Sequence, residues 1–375
     1  MLDLFPKYKI NKPLRLIELF AGYGSQALAL ENLGVEFEHY LAVEFDSYAI
    51  ASYNALHGTN FKTQDITQLK DLNVVETNIY DYIVTYSFPC TDLSLAGKRG
   101  GMSRDSETRS SLLWEVERLL SSSKELPQVL IMENVTAIHS VKFNEDFKVW
   151  LDFLTSLGYS NQWQDLNAKD YGIPQNRDRT FLVSILGDYQ YEFPKPKELE
   201  VKLRDLLEEE VDEKYFLSDK MIKVLSLVTE KYDRQKDFKP HEEPYETIAK
   251  AVTTRAGSRP PDNYIKIPEA TLKGYSEAYE GDGIYINRPH QKRGVVQSQM
   301  IQTIKTSVDD IAVVTKGLKI RKLTPREIFR LMGLNDNQID KLINLHSNTQ
   351  LYKQAGNSIV VQVLENIFKE LLKDE

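Results

Sequence analysis

Cysteine occurs once in 375 residues. That scarcity excludes an internal disulfide and a cysteine-rich zinc site. No apolar run is long enough to span a bilayer, and Met1-Leu2-Asp3-Leu4-Phe5-Pro6-Lys7 has no long apolar stretch of the signal-peptide kind. The expectation is a cytoplasmic protein in a reducing compartment, without membrane contact. Internal repeats and low-complexity tracts are also missing. A formal net charge of -8 argues mildly against a general polyanion binder. Acid is nevertheless absent from Ile286 to Lys305, which carries Arg288, Lys292, Arg293 and Lys305, whereas the run LLEEEVDE from Leu206 is dominated by it. A basic stripe on an acidic chain fits a nucleic-acid contact confined to one site. Taken alone, an ordinary solvated surface explains the stripe better.

The chain is long for one domain, and two are expected. From Leu14 to about Leu186, short apolar runs alternate with segments of helical period. Leu14–Phe20, Tyr40–Val43, Tyr82–Tyr86, Val129–Met132 and Thr180–Ile185 read as strands. Ser25–Leu33, Ser47–Leu56, Ser111–Leu120 and Phe147–Leu157 read as helices. That alternation implies an α/β fold with a doubly wound, mostly parallel sheet. Phe193-Pro194-Lys195-Pro196 reads as a linker. The stretch from there to about Lys319 is irregular and reads as a second, loop-rich domain. Thr324 is the expected N-cap of a helix running through Met332, with Pro325 at its first position. A last helix over Ser358–Leu372 is apolar on one face.

The residues that can carry chemistry lie at strand ends. Phe20-Ala21-Gly22-Tyr23-Gly24 follows the first strand, where glycines let a ligand approach the backbone. A tight turn would explain the same residues. No third glycine completes a phosphate-cradling fingerprint, so a cofactor without pyrophosphate is favoured, such as S-adenosylmethionine. Glu44 ends the second strand, a common place for an acid that binds ribose hydroxyls. Cys90 follows the third strand in Ser87-Phe88-Pro89-Cys90 and leads into Gly97-Lys98-Arg99-Gly100-Gly101. A lone thiol is most often a small buried residue, and a chemical role needs partners. Glu133 closes the strand from Val129. Arg177 and Arg179, spaced i, i+2 on an extended segment, should point the same way. A strand-end acid and surface salt bridges are the plainer readings of these last residues.

Six of these features, in this order, resemble the DNA cytosine-5 methyltransferases of bacteria and phages. Phe20-x-Gly22-x-Gly24 resembles that family's cofactor loop, Phe88-Pro89-Cys90 its nucleophile motif, Glu133-Asn134-Val135 its Glu-Asn-Val and Gln175-x-Arg177-x-Arg179 its Gln-x-Arg-x-Arg. Arg321-Lys322-Leu323-Thr324-Pro325-Arg326-Glu327 resembles the late structural motif and Gly356-Asn357-Ser358-Ile359-Val360 the last cofactor motif. The resemblance covers about residues 14 to 186 and 320 to 368. It implies a Rossmann-like, class I methyltransferase domain over residues 1–189 and 320–375, and a smaller, loop-rich target-recognition domain over 190–319.

The resemblance also implies roles. Cys90 is the nucleophile, Glu133 holds the target base, Arg179 binds its O2 and Arg177 supports the site. Phe20, Gly22, Gly24, Glu44, Phe45, Asp65, Ile66, Pro89, Leu112 and Asn357 form the pocket for S-adenosylmethionine, whose product is S-adenosylhomocysteine. Phe45 stands where the family often has Trp or Ile. Lys98, Arg99 and Arg104 in the loop after Cys90 meet phosphates. Arg255, Arg259, Arg288, Lys292 and Arg293 are the candidates for contact with double-stranded DNA. The reaction calls for no metal. The family mostly acts as monomers, and no stable complex with a cognate restriction endonuclease is expected. Rival readings are the same chemistry on tRNA, a silent DNA-binding relative and a Rossmann-type oxidoreductase, the last disfavoured by the absent third glycine and the Cys90 motif. Phe88 before Pro89 and the long middle segment disfavour the first; intact Cys90, Glu133 and Arg179 disfavour the second.

Overall fold

The computed structural model describes residues 5–89, 109–218, 264–288 and 290–372. Strands and helices alternate first: β1 (Leu14–Leu19), α1 (Ser25–Asn32), β2 (Phe37–Val43), α2 (Ser47–His57), β3 (Asp81–Tyr86), α3 (Leu113–Ser122), β4 (Val129–Asn134), α4 (Asn144–Ser156), β5 (Tyr159–Asn167), β6 (Gln175–Asn176) and β7 (Asp178–Leu186). The main sheet has the order β2-β1-β3-β4-β7-β5. β2, β1, β3 and β4 are parallel, while β7 runs antiparallel to both β4 and β5. The parallel half matches the expectation from the sequence. β5 was not anticipated. Its residues, Tyr-Ser-Asn-Gln-Trp-Gln-Asp-Leu-Asn, are mostly polar because it is an edge strand that leaves much of its surface in water.

Side-chain alternation along the strands divides the core in two. On β4, Val129 and Ile131 join one apolar cluster while Leu130 and Met132 join the other; on β7, Phe181, Val183 and Ile185 face the first and Leu182 the second. α3 and α4 cover the second face through Leu113, Val116, Leu119, Phe147, Trp150 and Leu154. α1 covers the first face together with the C-terminal helix α8 (Val361–Leu371), which follows α5 (Pro325–Arg330), α6 (Asp336–Ile343) and α7 (Asn348–Asn357). α8 buries Val361, Val363, Leu364, Ile367, Phe368 and Leu371. Each such side chain removed from water contributes about 1.5–3 kcal/mol, so this last helix is an integral wall of the layer built on the main sheet.

Between these parts lie β8 (Ile265–Pro268), β9 (Tyr275–Ala278), β10 (Gly283–Tyr285), β11 (Val296–Gln297), β12 (Ile301–Gln302), β13 (Ile311–Thr315) and β14 (Lys319–Arg321). β11-β10-β13-β14 form a second sheet, and β8 pairs with β9. β13 alternates between two cores. Ala312 and Val314 pack with Ile284 and Ile320, whereas Ile311 and Val313 belong to the main cluster. β12 pairs in parallel with β6, Ile301 opposite Gln175. Among the described residues, the inward side chains of β13 and the β12–β6 pair tie the second sheet to the main-sheet core.

Thr324 caps α5, its hydroxyl accepting from the Glu327 N–H while the Glu327 carboxylate accepts from the Thr324 N–H. Glu327 also takes both arms of the Arg321 guanidinium, at 2.6 and 2.8 Å, with both residues almost fully buried. The late motif is thus a structural pin between β14 and α5.

Candidate active site

The first turn after β1 is conformationally demanding. Phe20, Gly22 and Gly24 all have positive φ, at 60°, 58° and 83°. For a non-glycine residue such as Phe20 this costs energy that the surrounding structure must offset, and it concentrates at functional sites. A Cβ on Gly24 would lie 2.3 Å from Nε2 of His57 and 2.8 Å from the Tyr53 ring, so only glycine permits that packing. Glu44, immediately after β2, draws the turn inward. Its carboxylate accepts from the Gly22 N–H at 2.9 Å and the Asp46 N–H at 2.8 Å. Burial pushes the Glu44 carboxyl above its usual range, with those two backbone donors opposing. Two lone-pair directions remain for a diol.

Phe45 is 78% exposed, an open aromatic face beside Glu44. Asp65 uses one carboxylate oxygen to hold Thr67, at 2.9 Å to both its N–H and its hydroxyl, and its other oxygen has no hydrogen-bond partner among the described residues. Ile66 is 5% exposed and packs in the core cluster with Val43 and Leu69, so Phe45 is the more open apolar face of the two. Pro89 and Leu112 are half-buried, and Asn357 is exposed at the end of α7. Ser358 Oγ would be 3.9 Å from a Cβ on Gly22, which brings the last motif to the first loop. An open ring, a two-oxygen acceptor and a glycine-lined turn fit a nucleoside carrying a short charged tail.

The second constellation sits on β3 and β4. Tyr86 pairs with Met132, so the residues following them are neighbours. Glu133 is buried, and its Oε1 lies 3.1 Å from Nε of Arg179. Burial pushes the Glu133 carboxyl up; Arg179, Arg177 and Ser87 oppose without cancelling the effect. A carboxyl in such a place can be protonated and donate a hydrogen bond. Two residues with no role assigned from sequence fix the approach to Cys90. Asn134 Nδ2 donates to the Phe88 carbonyl at 3.0 Å and Ser110 Oγ to the Pro89 carbonyl at 2.7 Å. The signal for Asn134 was its place in the Glu-Asn-Val triplet; Ser110 carried none.

Arg177 and Arg179 do not share a target, contrary to the i, i+2 expectation. The strand breaks at Arg177, between β6 and β7. Its guanidinium, buried, donates to the carbonyls of Ile304, Gly356 and Ser358 at 2.8, 3.1 and 2.6 Å. Arg179 alone turns its Nε to Glu133. Arg177 is therefore a clamp joining the first domain, the second sheet's bridge and the last motif.

The basic stripe is also less free than its sequence suggests. Asp310, beyond the acid-free window, pairs with both Arg288 and Lys305 at 2.6 Å, and Arg288 stacks on Tyr285 at 4.3 Å. Lys292 and Arg293 are exposed, with no ion pair among the described residues. Cys90, Lys98, Arg99, Arg104, Arg255 and Arg259 lie outside the described residues.

Comparison with known proteins shows the family. Residues 14–373 match the family model described as C-5 cytosine-specific DNA methylase. The chain is 33% identical to the type II methyltransferase M2.ScrFI of Lactococcus lactis subsp. cremoris, over 96% of this chain and 100% of that protein. It is 31% identical to the type II methyltransferase M.HhaI of Haemophilus parahaemolyticus, covering 94% of this chain and 93% of the other. The Entamoeba histolytica methyltransferase EhMeth superposes with a TM-score of 0.62 at 16% identity, covering 96% of this chain and 98% of that one, which shows a shared fold. The chain belongs to the C-5 cytosine-specific DNA methylases, enzymes that use S-adenosylmethionine to methylate cytosine in DNA.

Proposed function

We propose that the protein methylates C5 of a cytosine swung out of duplex DNA at one short sequence, through a covalent bond between the Cys90 sulfur and C6. The observation that carries this reading is the buried Glu133–Arg179 pair, one strand over from the segment that leads into Cys90. C5 of cytosine is a poor nucleophile. Addition of the Cys90 thiolate to C6 makes C5 enamine-like. Protonated Glu133 donates to N3 and accepts from the exocyclic amine, drawing electron density from C6. Arg179, already turned to Glu133, donates to O2. The bound cofactor supplies an electrophilic methyl group. Loss of the C5 proton to a base or water then releases the Cys90 sulfur.

The base is shielded within a duplex and must leave the stack. The loop from Ser94 to Arg109 closes over it, with Lys98, Arg99 and Arg104 on phosphates. Glu44 takes the ribose hydroxyls, Phe45 stacks on adenine and Asp65 accepts from the adenine amine. Phe20, Gly22, Gly24, Pro89, Leu112 and Asn357 complete the pocket. Residues 190–319 read the sequence, through Arg255, Arg259, Lys292 and Arg293. The enzyme acts as a monomer in a self-protection setting, bacterial or phage. The relatives include both type II and orphan methyltransferases, so either arrangement suits it.

The test is transfer of labelled methyl from S-adenosylmethionine to duplex DNA, with total tRNA in parallel and bisulfite sequencing of the product. Label at cytosine C5 within one short motif is the expected result. Label only in tRNA would move the substrate to RNA.

A further inference from the structure

Beneath the cofactor loop lies a cluster of side chains that the reaction does not use. Glu31 ends α1, His39 lies on β2 and His57 ends α2. Oε1 of Glu31 is 2.6 Å from Nδ1 of His57 and 3.6 Å from Nε2 of His39. All three ligand atoms lie within 4.8 Å of one another. The His57 side chain is fully buried, His39 is 19% exposed and Glu31 34% exposed.

The hydrogen bonds behind the rings settle which nitrogens can ligate. Nε2 of His57 is 3.1 Å from the Tyr23 carbonyl oxygen. A carbonyl only accepts, so Nε2 carries a hydrogen; Nδ1 donates to the Glu31 carboxylate as the site stands and is the nitrogen that can ligate once that proton leaves. Nδ1 of His39 is 2.9 Å from the Tyr53 hydroxyl, which itself donates to the fully buried carboxylate of Glu18. The Tyr53 oxygen therefore accepts from His39, and the lone pair of that ring is on Nε2. The two nitrogens left to ligate, Nδ1 of His57 and Nε2 of His39, converge on the Glu31 carboxylate, and a metal ion would take the place of the proton that bridges His57 and Glu31. This is the arrangement of imidazole ligands oriented from behind by a carbonyl and a carboxylate relay.

We propose that Glu31, His39 and His57 form a binding site for a divalent transition metal of the zinc type. Two imidazoles and a carboxylate suit that class. A tetrahedral ion about 2.0–2.1 Å from each ligand sets the ligands roughly 3.3 Å apart, between the two separations found. The half-exposed side of Glu31 leaves the fourth position to water. The Glu31 carboxylate supplies negative charge against the dication. The ion would cross-link α1, β2 and α2, and through His57 and Tyr23 it would stiffen the loop whose Gly24 already packs against His57. Its role is structural.

The test uses the untagged full chain as Cys90→Ser, so that the single thiol cannot contribute a ligand. Metal-free protein is dialysed against Zn2+ alone, and then against Co2+ for its absorption spectrum. One saturable equivalent of Zn2+, a raised melting temperature on addition and an intense four-coordinate Co2+ spectrum are expected. Glu31→Gln and His39→Gln should weaken binding at least 100-fold. Tyr53→Phe, which leaves all three ligands in place, should weaken it by about 10- to 100-fold. Circular dichroism with chelator present checks that each variant is folded. Absence of a saturable equivalent in the parent, a weak six-coordinate Co2+ spectrum, or folded variants that bind like the parent would overturn the proposal. The parent measurements decide the matter even where a variant fails to fold.

Discussion

Glu133 and Arg177 are both buried ionisable residues, yet they do opposite work. Burial raises the Glu133 carboxyl, so its neutral form persists to higher pH and is lost as pH rises through the raised value. Cys90 must instead be ionised. The rate should thus rise with Cys90 ionisation and fall with Glu133 ionisation, giving a bell whose two limbs belong to the pair. A kcat–pH profile tests this, and Glu133→Gln should remove the alkaline limb while lowering kcat by about 10²–10⁴-fold. Arg177→Ala should act on the fold, because it leaves the carbonyls of Ile304, Gly356 and Ser358 without their donor. A loss of about 3 kcal/mol or more is expected in denaturant titration. Arg179→Ala should lower kcat and, by leaving the buried Glu133 carboxyl without its cationic partner, also cost some stability. Phe45→Ala, at a ring 78% exposed, should raise the KM for S-adenosylmethionine without shifting the melting temperature.

At the scale of elements, the motif from Arg321 to Glu327 is a joint. Its ion pair is bidentate and buried, so removing one partner strands the other charge. Arg321→Ala should cost about 3–5 kcal/mol, read by thermal or chemical denaturation, with the loss shared by β14 and α5. The elements differ in how far their sequences foretell them. β1, β3, β4 and α2 were legible because apolar residues recur at the right period between strong stops, such as Gly58 with φ 66° after α2. β5 was not, since a polar edge strand has no such pattern. The candidate site residues stood out in the sequence as strand-end residues in ordered motifs. The partners of Arg177 were not, because they lie 127 to 181 residues away, and neither was Asp310, which draws off half of a stripe that looked uniformly basic.

For the whole molecule, net charge of -8 means that DNA must be met by a few well-placed cations. The free pair Lys292 and Arg293 is the part of the described stripe suited to this. Replacing both by Ala should reduce the slope of log affinity against log salt by about 1.8, if each holds one phosphate. Arg288→Ala should change that slope little, because its charge is already spent on Asp310. Gly356 has a consequence for exchange of parts between relatives. A Cβ there would fall 2.2 Å from the Lys305 carbonyl carbon and 2.3 Å from the Thr306 nitrogen, so the chain leaving the second sheet's bridge is in backbone contact with the last motif. The proposed recognition region is therefore not a cassette with free ends. A hybrid enzyme given a new specificity should keep Ile301 to Thr306 from the parent that supplies Gly356, with its seam placed upstream of that segment.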